Sequence, residues 1–266
     1  MTLWKHFCSR SGSPFAGPRA RTASSSAGRG EARLLADAAR KAKRIVKVGF
    51  NHRYHPAIAE AHKRFAAGTI GTLINARGRY GHGGRPGYEK EWRGNPELAG
   101  GGELTDQGVH LLDLLHWFAG APVSVFGATQ RAIWPIEPLE DNGFALLRYA
   151  SGATAQFHTS WTQWKNLFSL EIFGTAGELV MDGLGGSYGT EKLTMHMRKP
   201  EGGAPDTTEQ IFDGPDNSWR DKWQDFLGAI EGKPFLGTPE DGVSVMAALE
   251  AIYRSSSEQR AVAPAS

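Results

Sequence analysis

Asp106 and His110 are the residues of this chain whose types and spacing best suit acid–base chemistry. They lie four positions apart in a helical pattern, so their side chains share one face of the helix. Burying a carboxylate and an imidazole is costly unless each finds a partner, and a neighbouring carboxylate orients an imidazole and raises its basicity. The spacing therefore predicts a general-base pair.

Two other interpretations of these residues stay open. The pair could cap and pin a core helix, since structural ion pairs perturb ionisation as catalytic ones do. Asp113 falls near the azimuth of Asp106 two turns further on, so Asp106, His110 and Asp113 could also reach one metal ion. No second ligand cluster is visible elsewhere in the sequence, and the prediction is that the chain holds no metal.

The helix that carries the pair is expected to be buried. It follows the flexible triplet Gly100-Gly101-Gly102 and ends at Gly120. Its large apolar residues are Leu104, Leu111, Leu112, Leu114, Leu115, Trp117 and Phe118. They point almost all round the helix axis, which is typical of a core helix and not of an amphipathic one.

Composition excludes several classes of protein. The 266 residues are 40% hydrophobic and 22% charged, as in an ordinary globular protein, and suffice for one large or two modest domains. The net charge of +2 indicates no nucleic-acid or membrane partner, and no apolar run approaches the ~20 residues of a membrane-spanning helix. The single cysteine, Cys8, excludes an intramolecular disulfide and favours a reducing, cytoplasmic location.

The order of predicted elements indicates an α+β fold. A helix over 31–43, a strand Ile45–Phe50, a helix, a strand and the Asp106–His110 helix lead into a meander of strand-like runs. Short glycine-containing turns join these runs, and two helices close the chain. Such turns connect antiparallel strands, so we expect a large, mainly antiparallel open sheet with helices on one face.

A dinucleotide-binding fingerprint is missing from the sequence. Such a site needs a glycine-rich turn between a strand and a helix. The run from Gly28 to Arg33 follows Ser24-Ser25-Ser26 instead of a strand, and the run from Gly183 to Gly189 leads into no helix. We therefore expect that this chain alone does not bind NAD(H) or NADP(H) with useful affinity.

Four stretches, read in order, resemble the Gfo/Idh/MocA oxidoreductases. They are Val48 to Pro56 (VGFNHRYHP), Gly68 to Gly71 (GTIG), Gly100 to Asp113 (GGGELTDQGVHLLD) and Ile172 to Leu179 (IFGTAGEL). The similarity extends from about Ala32 to Tyr253, and the glycine–Asp–His stretch is its most diagnostic part.

The resemblance implies an NAD- or NADP-dependent dehydrogenase acting on a sugar, cyclitol or sugar derivative. Family members have an N-terminal Rossmann domain and a C-terminal α+β domain whose open sheet often forms homo-oligomer contacts. Asp106 and His110 match the catalytic Asp and His: His110 would take the hydroxyl proton, and Asp106 would orient or assist it. The substrate-binding candidates are Arg53, Trp92 and Arg93, with His158 as a further candidate on a later strand.

The sequence departs from the family towards its N-terminus. The chain begins where the last Rossmann strands would end, so residues 31–55 are interpreted as a remnant of that domain and residues 56–266 as the substrate-binding and oligomerisation domain. The run Lys5 to Cys8 is similar to the family's run before Glu-Lys-Pro, but Ser9 to Gly12 follow and the family's catalytic lysine is absent. Residues 1–30 are predicted to be disordered or aberrant, through a local frame shift or as a transit-like segment.

Two functions are therefore open from the sequence. One is a sugar oxidoreductase that retains the substrate half and the acid–base pair. The other is a catalytically inactive fragment that binds sugar or associates with itself through its sheet. Neither involves nucleic acid or a membrane.

Overall fold

The computed structural model describes residues 28–265, and the prediction for residues 1–27 lies outside them. The helices of this part of the chain are α1 (Arg29–Lys41), α2 (Pro56–Ala66), α3 (Pro96–Ala99), α4 (Val109–Ala119), α5 (Ser218–Ile230) and α6 (Pro239–Glu258). The strands are β1 (Leu73–Gly81), β2 (Pro122–Gln130), β3 (Asn142–Tyr149), β4 (Thr154–Ser160), β5 (Leu167–Gly174), β6 (Gly177–Asp182), β7 (Glu191–Met197) and β8 (Asp206–Phe212).

The eight strands form one sheet in the order β2-β3-β4-β1-β5-β6-β7-β8. The β1–β4 pair is parallel, and every other neighbouring pair is antiparallel. The predicted α+β class with a large, mainly antiparallel open sheet is thus confirmed. Strand β1, the first strand of residues 28–265, lies at the centre of the sheet, where Gly78 is paired with Phe157 on one side and Leu170 on the other.

Helix α4 packs directly on the central strand. A Cβ atom added at Gly78 would lie 3.1 Å from the side chain of Leu111, so the glycine allows the helix to approach β1 closely. Leu111, Leu114 and Leu115 are fully buried, which confirms the prediction of a core helix. Helix α6 packs against both α4 and β2, and α1 packs on α6, so these helices cover one face of the sheet.

The other face of the sheet carries exposed apolar side chains. Phe126 on β2 is 46% exposed, and Phe144 and Leu146 on β3 are 39% and 44% exposed. They border a shallow cavity of about 650 Å³, together with the ion pair between Arg77 and Glu171. We call this surface the open face; no helix of residues 28–265 covers it.

The predicted strand Ile45–Phe50 does not form. Residues 44–50 belong to no helix or strand, and the Val48 N–H donates to the carbonyl oxygen of Gly237 at 2.7 Å. Lys47 is buried and donates to Tyr54 and Asp225, at 2.7 and 2.5 Å. The apolar residues 45–50 are therefore explained by burial against the segment before α6. No strand of the described residues pairs with them.

One helix boundary also differs from expectation. Helix α1 begins at Arg29, inside the segment predicted to be aberrant, and its first N–H donates to Glu250 at 2.5 Å. The long loop over 81–99 contains short helical turns at Tyr88–Lys90 and Trp92–Gly94, followed by α3. Among the helices of residues 28–265, none combines the length and apolar character required to cross a membrane.

Candidate active site

A cavity of about 340 Å³ opens where the Asn51–Tyr54 turn, the loop after β1 and the segment before α4 meet. Its polar and aromatic lining includes Asn51, His52, Trp92, Arg93, Asp106, Gln107, His110, Tyr188, Asp216 and Trp219. A concave site with convergent polar groups and aromatic rings is the usual form of a small-molecule site. We call it the His110 cavity.

Asp106 and His110 both line this cavity, but they reach it from two kinds of helical turn. Residues Leu104–Gly108 form one π-helical turn, and α4 continues from Val109. Single π-helical turns within helices are frequent at functional sites. The sequence predicted one continuous helical pattern. The structure instead places Asp106 in the π-helical turn and His110 in α4, and both side chains line the same cavity.

Close contacts require glycine at the second and third positions of the triplet before this turn. A Cβ atom at Gly101 would lie 2.0 Å from the Thr105 hydroxyl, and one at Gly102 would lie 2.1 Å from the carbonyl oxygen of Glu140. A larger residue at Gly102 would push the backbone away from the chain before β3, and one at Gly101 would displace the Thr105 side chain of the π-helical turn. The glycines thus fix the backbone that carries Asp106.

Asp106 is held by Arg93 from the loop after β1. The Arg93 Nε–H donates to Asp106 Oδ2 at 2.8 Å, and both side chains are partly exposed. Burial alone would lower the pKa of Arg93, but the Asp106 carboxylate outweighs this effect and raises it. The ion pair therefore keeps a carboxylate in the cavity with one oxygen oriented by the guanidinium.

His110 lies deep in the cavity and is only 7% exposed. Its ring stacks on that of His52, with centroids 4.1 Å apart and planes inclined by 17°. His52 Nδ1 in turn lies 3.3 Å from Asn51 Oδ1. This stack fixes the plane of the His110 imidazole, which is what a group that must accept a proton in a defined direction requires.

A hydrogen bond between Gln107 and Tyr188 forms another part of the cavity wall next to Asp106. Gln107 Nε2 donates to the hydroxyl of Tyr188 at 3.0 Å. Burial raises the pKa of Tyr188, so this hydroxyl stays protonated and can donate in turn. The cavity thus offers hydroxyl, amide, carboxylate and imidazole groups, a set that matches the hydroxyls of a polyol.

Two of the predicted substrate-binding residues lie outside this cavity. Arg53 is 3% exposed and donates to both oxygens of Asp113, at 2.9 and 2.5 Å, because the turn that brings His52 inward directs Arg53 towards α4. His158 faces the open side of the sheet, stacked on Phe144 at 4.2 Å. The other two candidates, Trp92 and Arg93, line the His110 cavity, and their role in substrate binding stays a prediction.

Asp113 does not converge with Asp106 and His110. Its carboxylate is fully buried and taken up by Arg53, whereas Asp106 is paired with Arg93. The three residues considered as ligands of one metal ion therefore point to different partners. Within residues 28–265, no group of three or more His, Cys, Asp or Glu side chains could hold a metal ion.

The sequence interpretation missed His52, Gln107, Tyr188 and Trp219. His52 and Gln107 lie inside stretches that carry the family resemblance, next to Arg53 and Asp106, so attention to their neighbours could have found them. Tyr188 and Trp219 follow from no local pattern, since the chain after β6 and the start of α5 bring them to the cavity.

Glu103 lies beside the π-helical turn with its carboxyl group fully buried. Burial raises its pKa well above the ordinary value, and the nearby carboxylates of Asp106 and Glu140 add to the shift. In the folded protein the carboxyl group is therefore held in its neutral form over a wider pH range than in the unfolded chain.

We expect Glu103→Gln to gain stability relative to the parent protein as pH rises. The contribution of Glu103 to stability is complete below pH ~4.5 and is lost as pH rises towards the raised folded-state pKa, whereas glutamine does not titrate. The difference in free energy of unfolding should grow by up to about 1.4 kcal/mol per pH unit over that range. Urea melts at several pH values measure it, with exposed Glu97→Gln as control. A difference independent of pH would contradict the shift.

Comparison with known proteins identifies the family. A family model described as GFO/IDH/MocA C-terminal domain matches residues 58–180. The 1,5-anhydro-D-fructose reductase of Ensifer adhaerens is 31% identical over 238 residues, which cover 87% of this chain and 68% of the reductase. The chain belongs to the Gfo/Idh/MocA family. The resemblance carried by the glycine–Asp–His stretch is thus confirmed.

Other Gfo/Idh/MocA matches are more distant. Levoglucosan dehydrogenase of Pseudarthrobacter phenanthrenivorans is 26% identical over 179 residues. The aligned region covers 57% of this chain and 46% of that protein, so the chain matches less than half of that relative's length. A solved structure of levoglucosan dehydrogenase in complex with NADH and L-sorbose superposes with a TM-score of 0.78 at 22% identity. It covers 90% of this chain, which in turn spans 71% of that one. At this identity the superposition shows the shared fold.

Proposed function

We propose that this Gfo/Idh/MocA chain binds a pyranose-type sugar in the His110 cavity and supplies the base for oxidation of one of its hydroxyls by NAD(P)⁺. The observation that carries the proposal is that His110 and Asp106 line one cavity with several groups able to bind hydroxyls. The names of the relatives, which refer to levoglucosan and 1,5-anhydro-D-fructose, support a ring sugar as the substrate class.

In this proposal His110 accepts the hydroxyl proton of the reacting carbon. A bound NAD(P)⁺ would supply the acceptor for the hydride, so that a carbonyl forms. The stack on His52 holds the His110 ring plane, so the accepting nitrogen meets the hydroxyl in one orientation. Asp106, oriented by Arg93, accepts a hydrogen bond from a neighbouring hydroxyl and fixes which carbon reacts. Trp92 supplies an apolar ring at the edge of the same cavity.

The described residues do not fit the whole dinucleotide. Binding of its pyrophosphate usually needs a strand, a glycine-rich turn and a helix N-terminus in sequence, and residues 28–265 contain no such unit. The chain's own residues thus account for the sugar and its proton, and NAD(P) binding is assigned to none of them.

This mismatch favours a second candidate function. A domain that holds a sugar but no dinucleotide would act as a sugar-binding or self-associating module without catalysis. Both candidate functions use the His110 cavity to bind a sugar. They differ in whether the sugar is oxidised.

Absorbance at 340 nm distinguishes the two functions. The chain is incubated with NAD⁺ or NADP⁺ and a panel of hexoses, anhydrohexoses and cyclitols, alone and joined to the Rossmann domain of a levoglucosan dehydrogenase. NAD(P)H formation by either form supports the oxidoreductase. Binding of a sugar by calorimetry without NAD(P)H formation in either form supports the second function, and absence of both rejects the proposal.

We also propose that the open face joins two copies of this chain. Phe126, Phe144 and Leu146 form an exposed apolar surface with polar residues around it, as in interfaces between subunits. The resemblance to a family whose open sheets often form oligomer contacts supports this assignment.

Leu146→Asp is expected to convert an oligomer into monomers, because it places a charge within the apolar surface. Light scattering after size-exclusion chromatography measures the change in mass. Leu34→Asp on α1, 71% exposed and outside the open face, is the matched control and should leave the mass unchanged. A parent protein that is monomeric at high concentration would contradict the proposal.

A further inference from the structure

One large apolar side chain at the edge of the His110 cavity is more than half exposed. Trp219 lies in the first turn of α5, lines the cavity and is 54% exposed. Keeping an indole in water forgoes the favourable free energy of burying it. An exposed tryptophan that borders a polar cavity is therefore positioned to be covered by a ligand.

The cavity changes in character from its floor to its edge. His110 at the floor is 7% exposed, and it lies among groups that bind hydroxyls. Trp219 at the edge is far more exposed and presents an indole ring, and Trp92 is half-buried between these extremes. A ligand that fills the cavity would contact polar groups with its buried end and aromatic surface with the end nearer to solvent.

A cation already covers part of each indole. The Lys222 Nζ lies 4.0 Å from the ring centroid of Trp219, and the Arg93 Cζ lies 4.3 Å from that of Trp92. Such contacts stabilise the orientation of a ring and occupy one of its faces. A flat ligand ring can therefore stack on the other face of Trp219 without reorienting the indole.

We propose that Trp219 forms a subsite for a second ring joined to the reacting sugar, so that the preferred substrate is a glycoside. The inference rests on the proposed sugar site at His110. A hexose is much smaller than the drug-sized ligands of typical pockets, and a cavity of about 340 Å³ that extends to Trp219 leaves room for a further group. That group is a sugar or aryl ring, because the edge offers the aromatic surface of Trp219 next to the polar groups of Ser187 and Asp216.

Helix α5 provides a matched control for this proposal. Trp219, Trp223, Leu227 and Ile230 form an exposed apolar stripe along it, and of these four only Trp219 lines the cavity. Trp223, one turn further on, is 41% exposed. If the stripe served a protein partner, Trp219 and Trp223 would behave alike towards small ligands.

Calorimetric titration of the full chain tests the subsite with methyl β-D-glucopyranoside and phenyl β-D-glucopyranoside as probes. We expect the phenyl glycoside to bind roughly tenfold tighter, the gain for covering about 50 Å² of apolar surface. Trp219→Ala should abolish this preference. Trp219→Phe should restore part of it, and Trp223→Ala should retain it fully.

Three results would overturn the subsite: equal affinity for the two glucosides, equal losses in Trp219→Ala and Trp223→Ala, or no binding of either glucoside at about 50 mM. The failure of the proposed function is a separate result. A chain that prefers the phenyl glycoside through Trp219 but forms no NAD(P)H has the subsite without the oxidoreductase activity. A chain that forms NAD(P)H without this preference has the activity without the subsite.

Discussion

His110→Gln is expected to lower the rate of sugar oxidation by about 10²–10⁴-fold, the range typical of a lost general base. Glutamine keeps a polar side chain of similar reach but cannot accept a proton near neutral pH. Sugar affinity should change little, because the remaining hydroxyl-binding groups of the cavity stay in place. The measurement is kcat from NAD(P)H absorbance in the form of the protein that shows activity, with sugar affinity from calorimetry.

The same substitution should cost about 1 kcal/mol of stability or less. Asp106 keeps its partner Arg93 when the imidazole is removed, so no buried charge is left unpaired. His116→Gln is the matched control on the same helix, since His116 bonds to Ser244 and does not line the cavity. Retention of most of kcat in His110→Gln, or an equal loss in His116→Gln, would remove the assignment of His110 as base.

Asp113→Ala is expected to destabilise the protein by about 3 kcal/mol, the lower end of the cost of breaking a buried ion pair, because the Arg53 guanidinium keeps only its contact with Asp241 at 3.4 Å. Arg53 donates to both Asp113 oxygens, and the two side chains are 3% and 0% exposed. Burial raises the pKa of Asp113 to about 7, opposed by the Arg53 charge. The two-point contact favours the ionised pair, so urea melts are best made at about pH 8.

The double variant Arg53→Met with Asp113→Leu should recover most of that loss, because it removes both charges and fills the space with apolar groups. Lys192→Ala on β7 serves as control: Lys192 pairs with Glu209 at the surface, and such exposed pairs contribute about 0–1 kcal/mol. A loss below 1 kcal/mol in Asp113→Ala would show that Arg53 is not fixed by this pair and would return it to the substrate-binding candidates.

The helices and strands were predictable wherever the periodic pattern of apolar residues in the sequence matched the pattern of buried residues in the structure. In β4, buried Ala155, Phe157 and Thr159 alternate with the more exposed Gln156 and His158, so the strand was evident from the sequence. The same alternation does not say which face of the sheet bears a site. That is why His158 could be placed among the substrate-binding candidates although it lies on the open face.

The position of Asp106 and His110 in one cavity was predictable from their spacing, whereas the side chains that contact them were not. His52 and Arg53 are neighbours in an irregular turn, and sequence alone does not decide which enters the cavity and which reaches α4. The partner of Asp106 comes from a loop, and His110 meets a ring from the Asn51–Tyr54 turn. The apolar residues 45–50 were predicted as a strand but form none, because an apolar sequence indicates burial and does not show that a neighbouring strand is present.

The central place of β1 has a consequence for how the chain folds. The strand is made early, yet its neighbours in the sheet, β4 and β5, are synthesised only after α4, β2 and β3: Asn75 pairs with Thr154 and Phe173. At about 5–20 residues per second, a ribosome needs several seconds to deliver those partners. During that interval β1 offers two unpaired edges, so the nascent chain has no complete sheet and is exposed to aggregation. Such long-range pairing also predicts slow refolding of the isolated protein.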